Sequence, residues 1–377
     1  MTFAPPSTLA PLHEGGAPAL TSRTAAIGKR GAVDLFHHQE DGSWGFLARL
    51  EPQAGAQGEF GAAVALDFGL HRDTLAVGAP HSDDTRDLDV GGDNGYVNIY
   101  LIEDDGRWTL EQTVVPEMFT LTPSGNREFG FGNSVALRGD TLVVGAARFR
   151  GGYGRAFVFH RGPDGMFRQS DELHERPEAQ RFDAEFGYAV AIDSGTIVVT
   201  RPDAASSREP PISGKVFVYA DRTGAVPQVL ESPTSSPDAY DGFGEAAALF
   251  GGQLAVRSRD TVLLFTRSAT GWGFSGWSTA VGRGSHNSIA LELSVLAIGE
   301  PNASGGGEIA AGAVRMFEWR GSAYVPQVVR TEPAPRRGHN VGATVALFGN
   351  EMLVGAPGDP LTDPMYSATL DYVDGPY

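Results

Sequence analysis

A seven-residue pattern that recurs along the chain constrains the fold more than any other feature. Its copies are FGAAVAL (60–66), FGNSVAL (131–137), FGYAVAI (186–192), FGEAAAL (243–249), SHNSIAL (285–291) and VGATVAL (341–347). Successive copies start 71, 55, 57, 42 and 56 residues apart. Tandem repetition at such a period is typical of solenoids and propellers, so we expect a chain built from repeated units.

Each copy is the first apolar run of a unit. Two more apolar runs follow it in every unit, and a fourth follows in many. In the unit that starts at Phe60 these runs are TLAVGAP (74–80), GYVNIYL (95–101) and GRWTLEQTVVP (106–116). Short runs rich in Val, Ile, Phe and Tyr and bounded by Gly or Pro predict β-strands. Four strands in each repeated unit predict the blades of a β-propeller.

The predicted fold class is therefore all-β, with residues 1–377 forming a single β-propeller domain of seven four-stranded blades. Six or eight blades remain alternatives. A degenerate first unit contains APALTSR (17–23), GAVDLFHH (31–38) and GSWGFLARLEP (42–52). The last unit stops after three strands, and we expect MTFAP (1–5) to pair with it and close the ring. The predicted blades cover 1–57, 58–128, 129–183, 184–240, 241–283, 284–338, and 339–377 together with the N-terminal strand.

The first strand of each unit carries small side chains, as in AAVAL (62–66) and EAAAL (245–249). Neighbouring blades converge where their innermost strands meet, and large side chains would not fit there. The small residues are therefore predicted to form the inner strands, and they say nothing about activity.

The repeated unit resembles the FG-GAP repeat of the integrin α-subunit propeller and of many bacterial surface proteins. In both, a Phe-Gly pair is followed by a strand of small residues and then by Gly-Ala-Pro. Phe60-Gly61 with Gly78-Ala79-Pro80 is the fullest copy, and the match runs from about Phe60 to the C-terminus. The phrase GDTLVVGAARF (139–149) looks especially like the bacterial branch. The resemblance implies an extracellular or cell-surface binding domain, although no signal peptide is visible in the first 16 residues.

Integrin-type repeats often carry a calcium loop between the first two strands, and this chain departs from that pattern. The connections here, such as RGDT (138–141) and FGGQ (250–253), are too short to wrap a cation that needs six to eight oxygen ligands. The one longer connection, DFGLHRDT (67–74), offers only Asp67 and Asp73. The calcium sites of the family therefore do not carry over to these positions.

Composition excludes several classes of function. The formal net charge of −17 opposes binding to a nucleic-acid backbone. The absence of cysteine excludes disulfides and thiolate metal sites. No 18-residue apolar run is present, so we expect no membrane insertion.

Candidate ligand-binding residues lie in the connections that follow each second strand, because variable loops usually carry function in such folds. They are His81, Arg148, Arg150, Arg201, Asp203, Arg257, Arg259, Glu300, Asn302 and Asp359. Arginines beside carboxylates could recognise an anionic group or a sugar, or could form salt bridges between blades. In the longest loop (81–95), the oxygen-rich residues Asp83, Asp84, Asp87, Asp89 and Asp93 are candidate Ca²⁺ ligands, or simply a solvated acidic turn.

These features favour a non-catalytic binding or adhesion module, a monomeric domain that recognises protein or carbohydrate through its loop-rich face. No nucleophile elbow, Walker loop or His-Glu-x-x-His motif is present, so no catalytic residue is predicted. One alternative is a polysaccharide lyase or hydrolase with a polar active site in the central pocket of that face. The other is a structural domain of a larger surface protein. Apart from Ca²⁺, no cofactor is indicated.

The tripeptide Arg138-Gly139-Asp140 matches the sequence that integrin receptors recognise on their ligands. In register with the other repeats, Gly139-Asp140 aligns with Ser194-Gly195 and Gly251-Gly252. Such pairs suit a two-residue β-hairpin turn, because Gly, Asn and Asp tolerate positive φ. We therefore interpret the tripeptide as a turn between the first two strands, on the face opposite the loops.

Overall fold

The structure is a computed structural model, and it describes sixteen segments of the chain. They are residues 18–29, 31–52, 59–68, 73–80, 94–103, 106–117, 130–149, 153–175, 185–202, 213–233, 241–282, 288–304, 308–331, 337–349, 351–356 and 367–369. No helix among these residues is long and apolar enough to cross a membrane.

The first four repeated units each form an antiparallel four-stranded sheet. The first sheet contains β1 (Pro18–Leu20), β2 (Thr24–Lys29), β3 (Ala32–His38) and β4 (Trp44–Leu50). The second contains β5 (Ala63–Asp67), β6 (Thr74–Ala79), β7 (Tyr96–Ile102) and β8 (Trp108–Val114). The third contains β9 (Ser134–Arg138), β10 (Thr141–Ala146), β11 (Arg155–Arg161) and β12 (Phe167–Leu173). The fourth contains β13 (Val190–Asp193), β14 (Thr196–Arg201), β15 (Lys215–Ala220) and β16 (Gln228–Glu231).

The remaining units form three more sheets. The fifth contains β17 (Phe243–Phe250), β18 (Gln253–Ser258), β19 (Thr261–Ser268) and β20 (Gly271–Ala280). The sixth contains β21 (Ile289–Glu292), β22 (Val295–Glu300), β23 (Ala313–Trp319) and β24 (Tyr324–Arg330). The seventh contains β25 (Thr344–Phe348), β26 (Glu351–Gly355) and β27 (Ser367–Thr369).

The chain is an all-β propeller whose blades have their strands in sequence order. The prediction of seven four-stranded blades is wrong for the described residues, where six sheets have four strands and the seventh has three. The segment predicted to complete the seventh sheet, residues 1–5, lies outside the described residues. The degenerate first unit predicted from the sequence is confirmed as a four-stranded sheet.

The first strands of the sheets lie innermost. Each contacts the first strand of the next sheet in the order β1, β5, β9, β13, β17, β21 and β25, and β25 in turn contacts β1. Between the seventh and first sheets, Leu353 packs in one buried cluster with Leu20, Phe36 and Trp44. The inner strands of all seven sheets therefore lie next to one another in sequence order.

The Phe-Gly pair that opens each strong repeat holds neighbouring blades together. Phe60, Phe131, Phe186 and Phe243 are completely buried. The N–H of Gly132 donates to the carbonyl of Gly145 at 2.9 Å, which fixes the start of the third blade. A Cβ built on Gly145 would lie 2.1 Å from the carbonyl oxygen of Gly187 in the fourth blade. This close approach is the physical reason for glycine in the Gly-Ala-Pro part of the repeat.

The fifth blade departs from this rule in a way that the structure explains. Arg257 occupies the position that Gly145 holds in the third blade, and the next repeat begins with Ser-His instead of Phe-Gly. The buried guanidinium donates to Ser288 Oγ at 3.1 Å and to the carbonyl of Gly299 at 3.2 Å, and it also bonds the carbonyl of Gly282. Arg257 thus replaces the missing contact between backbones with hydrogen bonds to the sixth blade.

Candidate functional site

A cavity of about 970 Å³ lies on the axis, at the end of the propeller where the turns between first and second strands are found. We call this end the turn face and the opposite end the loop face. Every sheet contributes one aliphatic side chain to the lining, from the same position of its inner strand. These residues are Leu20, Leu66, Leu137, Ile192, Leu249, Leu291 and Leu347.

In the second to seventh blades, the residue after the aliphatic is the last of the inner strand and also lines the cavity. From the second blade to the seventh, these residues are Asp67, Arg138, Asp193, Phe250, Glu292 and Phe348. Carboxylates therefore alternate with an arginine and two phenylalanines around the ring. We call these six residues the mouth ring.

Arg138 bridges two carboxylates of the mouth ring from the blades on either side of it. Its Nη1 lies 3.8 Å from Asp67 Oδ1 and its Nη2 lies 3.7 Å from Asp193 Oδ1. Both aspartates are buried, whereas the arginine side chain is 53% exposed and faces the cavity. The guanidinium compensates two carboxylates that burial would otherwise make costly.

Each mouth-ring carboxylate also accepts a hydrogen bond from a glycine in the turn of the following blade. Gly139 N–H donates to Asp67 at 2.8 Å, and Gly251 N–H donates to Asp193 at 2.9 Å. In the sixth blade Glu292 takes the same role, accepting from Gly349 N–H at 3.1 Å. These three hydrogen bonds couple the second blade to the third, the fourth to the fifth and the sixth to the seventh.

Glu292 differs from the two aspartates in its electrostatic environment. Burial raises the pKa of its carboxyl, while the bond from Gly349 and the charge of Arg138 partly offset that effect. Arg138 makes its ion pairs with the aspartates, and among the described residues Glu292 has no ion-pair partner. Among the described residues, Glu292 is the acid of the ring that is desolvated without an ion pair.

The turn predicted for Arg138-Gly139-Asp140 is confirmed, since Arg138 pairs with Thr141 across it. Gly139 has a φ of +57° and Asp140 is exposed, with its Oδ1 3.5 Å from Arg161 Nε. The tripeptide lies on the turn face, opposite the loops, and all three residues line the cavity. What the sequence reasoning missed is that this face carries the central cavity. The sequence did contain a signal for this site. When the inner strands are aligned, their last residues are Asp, Arg, Asp, Phe, Glu and Phe, a series of charged and aromatic side chains.

Several of the candidate ligand residues are buried in contacts between structural elements. Arg201 donates to Glu175 Oε2 at 2.5 Å, and both side chains are buried. Glu300 accepts from Gly282 N–H at 2.5 Å and from Arg315 Nε at 2.7 Å. Arg257 bonds the sixth blade as described above. Of these contacts, only the pair of Arg201 and Glu175 is a salt bridge between blades, the alternative that the sequence left open. Glu300 and Arg315 pair within the sixth blade, and the contacts of Arg257 are hydrogen bonds.

The other candidates are dispersed or not described. Arg148 and Asn302 are exposed, and Arg259 is half-buried in a turn with a φ of +49°. His81, Arg150, Asp203, Asp359 and the acidic set Asp83, Asp84, Asp87, Asp89 and Asp93 lie outside the described residues. Within the described part of the chain, no group of three or more His, Asp or Glu side chains could hold a metal ion.

A second cluster, at the boundary between the third and fourth blades, contains the residue types of a serine-hydrolase triad, but its two histidine nitrogens have exchanged partners relative to that triad. Ser170 Oγ lies 2.7 Å from His160 Nδ1, and His160 Nε2 lies 3.0 Å from Asp221 Oδ1. Ser170 is the extra residue of a β-bulge opposite Val158 and Phe159, and its hydroxyl is 3.2 Å from the carbonyl of Val158. The adjoining cavity holds about 10 Å³, room for one water molecule. The relay therefore joins two blades and has no space for an acyl substrate.

A family model of the FG-GAP repeat matches residues 118–159 of the chain. This stretch includes β9, β10 and the larger part of β11, so one complete inner hairpin falls within it. The chain is thus a β-propeller that carries an FG-GAP repeat, as the resemblance of its motifs predicted. Proteins of this kind are typically binding or adhesion modules.

The remaining comparisons identify the fold and no function. No curated protein sequence matches the chain. Among solved structures, a chain from "Crystal Structure of Mitotic Checkpoint Complex" is 14% identical and has a TM-score of 0.59, with 98% of this chain and 94% of that chain covered. At this identity the likeness shows a shared propeller fold alone.

Proposed function

We propose that the protein is a non-catalytic binding module of the bacterial cell surface, which recognises a protein or carbohydrate ligand at the central cavity of its turn face. The observation that carries this proposal is the cavity of about 970 Å³ with a mouth of alternating acidic, basic and aromatic residues. Ligand pockets typically enclose roughly 300–1,000 Å³ and combine an apolar lining with a few polar groups. The seven aliphatic residues and the mouth ring meet that description.

Binding at this face differs from the location that the loops alone predicted. The long connections of the loop face lie largely outside the described residues, and the described candidates there include three charged side chains buried between elements. The turn face, in contrast, presents Arg138 and Asp140 with more than half of each side chain exposed. Arg138 and Asp140 are therefore available to a ligand on the turn face.

A hydrolase is the second candidate, and the Ser170–His160–Asp221 relay is the observation that favours it. Against it stands the lack of room beside Ser170. If the relay were catalytic, Ser170→Ala would remove turnover of p-nitrophenyl acetate above the uncatalysed rate. We expect the wild-type protein and this variant to give the same rate.

We also propose that the ring of blades closes where the seventh sheet meets the first. The contact of β25 with β1 and the position of Leu353 in the cluster of the first sheet support this arrangement. Leu353→Ala removes a buried side chain from that cluster and is then expected to lower the free energy of unfolding by about 2–5 kcal/mol. An unchanged free energy of unfolding would contradict the proposed closure.

The binding function is tested by screening the purified chain against a glycan array and a panel of immobilised extracellular-matrix proteins. We expect at least one ligand whose signal falls about tenfold or more in Arg138→Ala, because truncating a charged contact typically costs that much. Arg168→Ala is the matched control, since Arg168 is an exposed arginine on an outer strand, paired with Asp164. Signals that survive Arg138→Ala and are lost in Arg148→Ala would move the site to the loop face. No ligand on either panel would contradict the binding function itself.

A further inference from the structure

The two sides of the cavity differ in the charge and polarity of their mouth-ring residues. On the side of the second to fourth blades, Arg138 lies between two aspartates and the charges compensate one another. On the side of the fifth to seventh blades, Glu292 lies between two phenylalanines at the same register position. In the part of the chain that the structure describes, the second side therefore has a carboxylate and no cation of its own.

The two phenylalanines are partly anchored in the core and partly open to the cavity. Phe250 packs against the apolar cluster between the fifth and sixth blades, and Phe348 packs against the cluster between the seventh and first. Both side chains remain partly exposed and both line the cavity. The face of an aromatic ring attracts a cation through its quadrupole, and the attraction increases where water is excluded.

The charge of the whole lining points in the same direction. Among the described residues, five carboxylates line the cavity, from Asp67, Asp140, Asp193, Asp221 and Glu292, against the guanidinium groups of Arg138 and Arg161. An excess of one sign in a concave, partly apolar site concentrates ligands of the opposite charge. The native Arg138 already shows that the cavity accommodates a guanidinium group between its carboxylates.

A bare metal ion fits this side of the cavity less well than an organic cation does. Calcium takes six to eight oxygen ligands, whereas Glu292 is one carboxylate flanked by hydrocarbon rings. A lysine or arginine side chain needs one carboxylate for its charge and apolar surface for its methylene stem. Glu292 with Phe250 and Phe348 offers both.

We propose that the side of the cavity formed by Phe250, Glu292 and Phe348 binds an organic cation, the lysine or arginine side chain of a protein ligand. This inference rests on the proposed binding function and selects protein over neutral carbohydrate as its ligand. The carboxylate of Glu292 accepts hydrogen bonds from the cation, and the two rings cover its stem.

The test uses small probes that carry only the proposed group. Binding of Nα-acetyl-arginine amide and Nα-acetyl-lysine amide to the full chain is followed by NMR, with Nα-acetyl-citrulline amide as the neutral isostere of the arginine probe. We expect saturable binding of one or both cations, and at least tenfold weaker binding of citrulline. Added salt should weaken the interaction, since it is driven by charge.

Substitutions in the mouth ring test whether the probe binds at Glu292 and the two phenylalanines. Glu292→Gln keeps an acceptor for the Gly349 N–H and removes the charge, so it should weaken binding at least tenfold. Phe348→Leu keeps apolar volume and removes the ring, and we expect a loss of about threefold. Glu231→Gln makes the same substitution at an exposed residue of the outer strand of the fourth blade, away from the cavity, and as the control should leave binding unchanged. Circular dichroism verifies that each variant is folded.

The outcomes separate this inference from the proposed function. If citrulline binds as tightly as arginine, or if Glu292→Gln binds normally, the cation site is refuted. If neither cation binds while a ligand from the array still depends on Arg138, the cavity is a binding site of different chemistry. If no cation binds and the arrays show no ligand, both proposals fail.

Discussion

The backbone N–H of Gly139 donates a 2.8 Å hydrogen bond to Oδ2 of Asp67, which precedes it by 72 residues. The two residues lie in adjacent blades, and the same relationship joins Asp193 to Gly251 and Glu292 to Gly349. A turn that is local in sequence is therefore held from outside by the preceding blade. The acidic residues of the mouth ring that line the cavity are therefore also the residues whose hydrogen bonds join neighbouring blades.

Replacing Asp67 should separate its hydrogen bond from its charge. Asp67→Ala is expected to lower the free energy of unfolding by about 1–3 kcal/mol, because the N–H of Gly139 loses a charged acceptor. Asp67→Asn keeps a carbonyl oxygen for Gly139 and should lose less. Urea denaturation of the three proteins measures the difference. Equal losses in the two variants would mean that charge, rather than the acceptor, holds the turn.

The turn of the sixth blade carries a strained residue that can be relieved. Leu293 has a φ of +50°, whereas Gly139, Gly251 and Gly349 occupy the equivalent position with φ between +56° and +57°. Its side chain is 57% exposed, so little packing is lost on replacement. Leu293→Gly is expected to stabilise the protein by about 0.5–1 kcal/mol, because glycine adopts this conformation without a steric cost. Ser294→Gly, where φ is not positive, is the control and should destabilise slightly in thermal unfolding.

Buried and exposed ion pairs should respond differently to the same truncation. Arg201→Ala leaves Glu175, whose side chain is 8% exposed, with only the ammonium of Lys215 at 3.7 Å. The expected loss is about 3–5 kcal/mol, the usual cost of breaking a buried pair. Arg168→Ala removes a pair whose side chains are 60% and 51% exposed, and we expect no measurable change in the chemical denaturation midpoint. A small effect for Arg201 would mean that Lys215 alone compensates Glu175.

The glycine of the second strand tests the contact between blades. Gly145→Ala places a Cβ 2.1 Å from the carbonyl oxygen of Gly187, a backbone atom that cannot move alone. The third and fourth blades must separate locally, at a cost of about 1–3 kcal/mol or more. Gly273→Ala has no heavy atom within 4 Å of the new Cβ and serves as the control. Differential scanning calorimetry should show a lower melting temperature for the first variant alone.

Glu292 should make stability depend on pH in a defined direction. Burial raises the pKa of its carboxyl, so the folded state binds the proton more tightly than the unfolded state does. Its contribution to stability is therefore present at low pH and is lost as pH rises through the raised pKa. Glu292→Gln is expected to increase the melting temperature at about pH 7 and to change it little at about pH 3.5. A variant less stable than wild type at about pH 7 would mean that Arg138 compensates Glu292 more than burial penalises it.

The sequence by itself determined the elements and their order. Repeats such as FGNSVAL (131–137) identified the inner strands, because small side chains and a following pair of turn residues leave few other conformations. The alignment of the copies also identified Gly139-Asp140 as a turn, because the pairs at the same position in other units are residues that suit a β-hairpin turn. These properties depend on neighbours within one hairpin, and a local pattern contains that information.

Only the tertiary structure decided which charged residues are available to a ligand. Arg138 and Arg201 are both arginines at the ends of strands, yet one is half exposed in the cavity and the other is buried against Glu175. The partners of Arg138, Asp67 and Asp193, lie 126 residues apart in sequence, and the curvature of the propeller brings them to either side of it. The sequence placed ligand recognition on the loop face, but the described cavity lies on the turn face, where one residue from each inner strand meets. That convergence depends on how the blades close around the axis, and no single repeat contains it.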